Sequence, residues 1–157
     1  MTEPSTDPIH TRRDDIHNEI ADRLKHFAEN VAGVTHALLL TRDALPLVTS
    51  GIDRTLAEQW AACFGALASL AENIPGPNGE QDGLSQAIIQ RGDALFLAVN
   101  SGSSEHFAGH AGTRGGILET VLAVICQPDA QMGAVSYEMG RLVDRFSSYM
   151  VEPARAR

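Results

Sequence analysis

RTLAEQWAACFGALASLAEN, residues 54–73, has the pattern of a helix that is apolar around more of its circumference than one buried stripe requires. At about 100° per residue, its bulky apolar side chains share one arc, which we expect to face a sheet. This arc contains Leu56, Trp60, Cys63, Phe64, Leu67, Leu70 and Ile74. Smaller side chains flank the arc, with Ala57, Ala61 and Ala68 on one side and Ala62 and Ala66 on the other.

The flanking small residues indicate a second contact surface, because two helices approach closely where the side chains between them are small. The sequence therefore predicts that a second copy packs on this helix, with contacts from Ala57, Ala61, Gly65 and Ala68. A simpler interpretation is that alanine is frequent here because it favours helix. Glu58 and Gln59, together with the short length of the helix, exclude a membrane span.

Composition restricts the class of protein. A chain of 157 residues, 43% hydrophobic and 20% charged, is typical of one globular domain. The net charge is −8, and Lys25 is the only lysine. Nucleic acids and anionic membrane surfaces are therefore excluded as main partners, because both require clustered basic residues.

The N-terminal residues lack the apolar segment of a signal peptide, and no run of 18 apolar residues occurs. We therefore expect a cytoplasmic protein without membrane insertion. Cys63 and Cys126 form no CxxC pair, and both are interpreted as small core residues.

The remaining elements follow from periodicity and turn signals. They predict helices at 14–31, 54–73 and from Asp129 onward, and strands at 34–41, 45–50, 84–91, 94–100 and 117–126. The order α-β-β-α-β-β-β-α is that of an α+β sandwich with an antiparallel sheet. Residues 14–150 form the single domain, 1–13 and 151–157 are expected to be loose tails, and 101–116 is an inserted Gly-rich loop.

The two edges of this sheet differ. Pro46 cannot donate to a ladder, which places the second strand at an edge. The third strand lacks the prolines and lysines that discourage edge pairing, and we expect it to pair with its two-fold mate. Leu84, Gln86 and Ile88 are its predicted contacts in the dimer.

Three stretches resemble the Roadblock family of dynein-light-chain-like regulators, in particular its small bacterial members. They are VAGVTHALLLTRDALPLVTS (31–50), IDRTLAEQWAACFGALASLAE (52–72) and VICQPDAQMGAVSYEMGRLVDRF (124–146). The resemblance implies a five-stranded antiparallel sheet between helices, a Roadblock/profilin-like sandwich with strand order 2-1-5-4-3. It also implies a homodimer formed through the middle helix and the third strand, and a non-enzymatic scaffold or regulator that binds small Ras-like GTPases.

The chain departs from the family pattern at two places. Asp43-Ala44 stands where Asp-Gly is common, and at positive φ an alanine would cost on the order of 1 kcal/mol. The loop at 101–116 stands where relatives tend to have a tight turn.

Few residues suggest chemistry. His106, His110 and Glu105 have metal-ligand character, but the glycines around them argue against a rigid site, so no metal is expected. Neither a nucleotide-binding motif nor a catalytic constellation is present, so no cofactor and no enzymatic activity are expected. Arg42, Arg54 and Phe107 are candidate partner contacts. For each arginine taken alone, a solvated side chain is the simpler interpretation, and a disordered loop accounts for Phe107 at least as well.

Two functions from different classes remain open. The first is a homodimeric module that binds a small Ras-like GTPase and modulates its activity or localisation. The second is a small-molecule sensor, because a sheet covered by helices can enclose a pocket.

Overall fold

The computed structural model describes residues 8–104 and 118–146, which form three helices and five strands in the predicted order. The helices are α1 (Pro8–Asn30), α2 (Arg54–Asn73) and α3 (Met132–Phe146). The strands are β1 (Val34–Thr41), β2 (Pro46–Thr49), β3 (Gln86–Gln90), β4 (Leu95–Ser104) and β5 (Leu118–Cys126).

The strands form one antiparallel sheet in the order β2-β1-β5-β4-β3. This order confirms the predicted α+β sandwich and places Pro46 and β3 on opposite edges of the sheet. The strand β5, which is last in the sequence, lies in the middle because it pairs with both β1 and β4.

Some element boundaries differ from the prediction. The first helix begins at Pro8, so residues 8–13 are helical rather than a loose tail, and proline is favoured at this first position. Strand β4 continues to Ser104, so residues 101–104 belong to the sheet rather than to a loop. The remainder of the predicted loop and both chain ends lie outside the described residues.

The sheet separates two hydrophobic clusters. On one face, α1 lies over β1 and β2 while α3 lies over β4, and side chains such as Leu24, Leu97 and Met139 are buried between them. On the other face, α2 lies over β1, β2 and β5 and buries Leu38 and Phe64. One face of the sheet is thus covered by two helices and the other by one.

The turn between β1 and β2 contains the only non-glycine residue with positive φ among those described, Ala44, whose φ is 69°. The predicted departure from the Asp-Gly pattern therefore costs backbone strain in this chain. Thr41 closes the turn through its backbone N–H, which donates to the Leu45 carbonyl at 2.8 Å. The turn packs directly under α2 at Gly65, where a Cβ would lie 2.6 Å from Ala44 Cβ.

The N-cap of α2 is Asp53, whose carboxylate accepts from the Leu56 backbone N–H at 3.3 Å. Strands β3 and β4 form an antiparallel hairpin, and Gly92 in its turn does not have a positive φ.

We predict that Gly65→Ala destabilises the fold, although alanine is the better helix former. The added methyl would meet both Cβ and Cα of Ala44, at 2.6 and 2.7 Å, and Ala44 is held by its turn. We expect the free energy of unfolding, measured by urea denaturation, to fall by about 1–2 kcal/mol.

Gly140→Ala is the matched control, because nothing lies within 4 Å of a Cβ at this position of α3. It should raise the free energy of unfolding by about 1 kcal/mol. Adding Ala44→Gly to Gly65→Ala should restore part of the loss. Equal effects of the two glycine substitutions would contradict the close contact.

Candidate functional site

The side of α2 that was predicted to contact a second copy faces the sheet, and most of the bulky side that was predicted to face the sheet lies farther out. Ala57, Ala61, Gly65 and Ala68 face the sheet and are buried within a single chain, with Ala61 fully buried. The prediction that these four residues contact a second copy is therefore wrong. The physical reason is the short distance between α2 and the sheet, because small side chains allow the helix to pack closely on the strands and on the β1–β2 turn.

The bulky side chains instead form an outer arc along the flank of α2. The outer arc consists of Leu56, Trp60, Cys63, Leu67, Leu70 and Ile74. Leu70 is 67% exposed and Ile74 is 64% exposed, although both were predicted to lie in the core. Cys63 is exposed as well, so its assignment as a core residue is also wrong. Of the bulky residues in the predicted arc, Phe64 is the one that is fully inside.

Trp60 is held at the inner border of the outer arc. Its ring packs edge-on against His36 of β1, with centroids 4.9 Å apart. Burial lowers the pKa of His36, and its ring nitrogen Nδ1 lies 2.9 Å from Thr35 Oγ1. These contacts give His36 a structural role at the edge of the α2 cluster.

Strand β3 presents an open sheet edge next to this arc. Ile89 pairs with Phe96, which packs against the α2 cluster, so Ile89 lies on the α2 face of the sheet and is 37% exposed. Ile88 pairs with the buried Leu97 and lies on the other face, where it is 45% exposed. The outer backbone groups of β3 have no neighbouring strand in the sheet.

The predicted edge contacts remain compatible with an interface. Leu84 is partly buried against the α2 cluster, and its backbone N–H donates to Glu72 at 3.5 Å. Gln86 and Ile88 are exposed on β3, and the Gln86 side chain hydrogen-bonds Ser136 of α3. Unlike the alanines of α2, these positions are not sealed inside the monomer.

Geometry explains why this region is uncovered. Strands lie about 4.8 Å apart, so five of them span roughly 20 Å, whereas a helix with its side chains is about 10 Å wide. Helix α2 lies over β1, β2 and β5 and reaches β4 where Phe64 packs near Phe96, but it leaves Ile89 of β3 partly exposed on this face. The outer arc of α2 and the exposed strand β3 are together called the α2–β3 surface.

The hairpin at the end of β3 and β4 borders the α2–β3 surface. The Arg91 guanidinium lies 5.0 Å from the centre of the Phe96 ring. Its Nε also donates to Asp93 at 2.8 Å, and this hydrogen bond lowers the pKa of Asp93. The border of the surface is therefore a charged pair, whereas its centre is apolar.

The candidate arginine contacts are placed differently. Arg42 pairs with Glu72 of α2 and lies 3.7 Å from Glu119, so it ties the β1–β2 turn to α2 and β5 within the chain. Arg54 is 91% exposed and pairs with Glu58 one turn along α2, at 3.1 Å. Phe107, like His106 and His110, lies outside the described residues.

A groove of about 890 Å³ lies on the opposite face of the sheet, between α1 and α3, and no local sequence pattern predicts it. Residues 22–33 form one wall and residues 129–145 the other. Because the groove opens to solvent between two helices, it differs from the pocket between sheet and helices that the sensor hypothesis predicted.

In residues 8–104 and 118–146, no group of three or more His, Cys, Asp or Glu side chains is arranged to hold a metal ion. Within the same ranges, no helix is both long and apolar enough to cross a bilayer.

Comparisons with solved structures agree with this architecture. A Roadblock/LC7 domain from Streptomyces avermitilis matches with a TM-score of 0.65 and 24% identity, covering 82% of this chain and 95% of that one. A second such domain from Streptomyces avermitilis matches with a TM-score of 0.58 and 26% identity, covering 82% and 99%. Myxococcus xanthus MglB matches in fold with a TM-score of 0.62 at 11% identity, covering 83% and 93%.

No curated protein sequence matches the chain significantly. The family model described as Roadblock/LC7 domain matches residues 20–108, from the middle of α1 to beyond β4. This match covers more than half of the chain, and the sheet order and helix positions agree with it. The chain therefore belongs to the Roadblock/LC7 domain family.

Proposed function

We propose that this chain is a cytoplasmic, homodimeric regulatory module that binds a small Ras-like GTPase and modulates its activity or localisation. The family is a regulatory and adaptor fold rather than a catalytic one. The observation that carries the proposal is the α2–β3 surface, where bulky apolar side chains lie exposed beside an unpaired strand.

A second copy would cover the exposed apolar side chains of this surface and pair with its unpaired strand at the same time. Across a two-fold axis, its α2 lies over the exposed β3 edge of the sheet and packs its outer arc against Leu67, Leu70 and Ile74. The two β3 strands then lie side by side, with Ile88 and Ile89 removed from water. Such a contact buries about 1,200–2,000 Å² in total, the standard size for a specific complex.

The GTPase assignment rests on family membership and on the kind of surface that a dimer would offer. Covering the α2–β3 surface joins two sheets and leaves exposed residues such as Arg54 on the outside. Binding energy in a partner complex comes from a few buried anchors, so a rigid shared platform favours recognition of a folded protein.

We predict that Leu70→Arg converts the dimer into monomers without unfolding the chain. Because Leu70 is 67% exposed in the single chain, the fold tolerates the guanidinium, but the dimer must bury it. Sedimentation velocity should show a dissociation constant raised by roughly tenfold to a hundredfold.

Two variants of the same helix calibrate that result. Ser69→Arg adds the same charge at an exposed position outside the outer arc and should leave the dimer intact. Ala61→Arg places the charge at a fully buried position and should unfold the chain. A folded Leu70→Arg dimer as tight as the wild type would contradict the proposed interface.

We further predict that alkylation of Cys63 depends on protein concentration. Cys63 is exposed in the outer arc and should be covered in the dimer, so its reaction with iodoacetamide should accelerate on dilution. Cys126 is the internal control, because burial raises its pKa to about 11 and leaves little thiolate at neutral pH. An alkylation rate of Cys63 that is independent of dilution through the dissociation range would count against the interface.

For the GTPase, we predict binding that depends on the bound nucleotide. Purified small Ras-like GTPases from the same organism, loaded with GDP or a non-hydrolysable GTP analogue, should differ in affinity by about tenfold or more in biolayer interferometry. Leu70→Arg should weaken the preferred complex if the platform is shared. Absence of binding to every such GTPase in both states, with the dimer intact, would refute the partner assignment alone.

A further inference from the structure

The α1–α3 groove lies on the face of the sheet opposite α2, and its volume of about 890 Å³ is typical of small-molecule sites in proteins. The two helices that form its walls run antiparallel, because α1 ends where α3 begins and both line the same groove. There Gly33 meets Ala130, with 2.7 Å from a Cβ at Gly33 to the Ala130 side chain. The Gly33 carbonyl also accepts from the Gln127 backbone N–H at 2.8 Å. These contacts close one end of the groove.

Two arginines stand on facing walls at the same distance from the closed end. Arg23 lies ten residues before Gly33, and Arg141 lies eleven residues after Ala130. At a rise of 1.5 Å per residue, each is roughly 15 Å from the closed end. The part of the groove beyond Tyr137 carries three basic and two acidic side chains, so its net charge is +1 in a chain of net charge −8. These side chains are Asp22, Arg23, Glu138, Arg141 and Arg145.

Arg23 has a donor without an acceptor. Its Nη2 donates to Glu19 at 3.3 Å, whereas its Nε is buried and has no hydrogen-bond partner. Among the described residues that are not exposed, this is the one buried side-chain nitrogen or oxygen left without a partner. A buried N–H without an acceptor costs free energy. When the guanidinium turns toward a carboxylate in the groove, Nε and one Nη donate in parallel to its two oxygens and remove this cost.

Arg141 can serve the same ligand from the other wall. Its Nη1 lies 3.5 Å from Glu138 Oε1, and its side chain is 51% exposed. An exposed ion pair of this kind contributes little to stability, so the guanidinium can turn toward a ligand without a large loss. Arg23 and Arg141 together therefore offer a clamp for one carboxylate.

The space between the two arginines and the closed end has an apolar floor. Phe27 is buried in the core beneath the groove and borders it, and Val31 packs against the same core. Ala134 lines the α3 wall at an exposed position, so no bulky side chain fills the space there. The polar side chains of this part of α1, His26 and Asn30, lie 3.1 Å apart and hydrogen-bond each other. An apolar group fits this floor better than a second charge.

We propose that the α1–α3 groove binds a small organic carboxylate with an apolar body. Its carboxylate lies between Arg23 and Arg141, and its body lies over Phe27 and Ala134 toward the closed end. Asp129 lines the groove at the closed end, where it repels a carboxylate and so fixes the orientation of the ligand. One copy of the chain forms the whole site, on the face opposite the α2–β3 surface. The site therefore goes beyond the proposed function and does not depend on the homodimer.

Titration with octanoate tests the site, with binding followed by chemical-shift changes of backbone amides in two-dimensional NMR. The largest changes should occur in residues 22–33 and 129–145, and their concentration dependence gives the dissociation constant. Octan-1-ol has the same apolar body without the charge, and acetate has the charge without the body. Both should bind at least about tenfold more weakly than octanoate, because each lacks one of the two sets of contacts.

Substitutions on both walls test the arginine clamp. Arg23→Gln and Arg141→Gln should each weaken octanoate binding by about tenfold, because each removes a charged donor to the carboxylate. Lys25→Gln is the matched control, because it removes the same charge from an exposed position of α1 outside the groove. It should leave the dissociation constant unchanged.

A bulky substitution tests the apolar part of the site. Ala134→Trp fills the groove from an exposed position and should abolish octanoate binding. Gly133→Trp adds the same ring one position away, where a Cβ meets nothing within 4 Å, and should leave binding intact. Circular dichroism confirms that each variant is folded.

The proposal is overturned if octanoate causes no saturable shift changes in the groove, or if octan-1-ol binds as tightly as octanoate. It is also overturned if both arginine variants bind octanoate as tightly as Lys25→Gln. Repeating the titration with Leu70→Arg separates this site from the proposed homodimer. Unchanged affinity is expected there, whereas loss of binding in folded Leu70→Arg would contradict a site formed by one copy.

Discussion

The close approach of α2 to the sheet is the constraint on which the rest of the structure depends. Gly65 and Ala44 meet at a distance that leaves no room for one more methyl group, and Ala44 accepts a positive φ at this point. The small side chains on the same side of α2 make the approach possible along the helix. Because these residues face inward, Leu70 and Ile74 on the outer arc are turned toward the surface, while Trp60 and Leu67 stay partly buried.

Two consequences follow for assembly. Helix α2 lies over the β1, β2 and β5 part of the sheet and leaves the part near β3 without a helical cover. The side chains that would fill a monomer core, Leu70 and Ile74 among them, then lie exposed next to an unpaired strand. A single copy thus has an incomplete second layer, and the proposed homodimer completes it with the same element from the other copy.

The opposite face of the sheet is covered by two helices instead of one. Helices α1 and α3 cover it, and the side chains beneath them form the larger hydrophobic cluster. What remains open is the groove between the helices, which is lined by charged side chains of both signs together with apolar ones such as Phe27 and Leu142. The two surfaces therefore differ in chemistry, because the α2–β3 surface is apolar at its centre whereas the groove carries charged side chains along both walls. Function in such a module lies in its surfaces, in agreement with a regulatory fold.

The sequence by itself determined the order of elements, the edge position of Pro46 and the family, because each depends on local periodicity, on the missing N–H of proline or on residues adjacent in the chain. It also showed that α2 has two apolar sides. Which side faces the sheet was decided only by the tertiary structure. Helical periodicity gives the angle between the two arcs of side chains, but not the distance between the helix and the sheet. Gly65 was the local signal, but its partner, Ala44, is distant in sequence. The groove was equally hidden, since its walls, residues 22–33 and 129–145, become neighbours only when β1 and β5 pair and bring the two helices side by side.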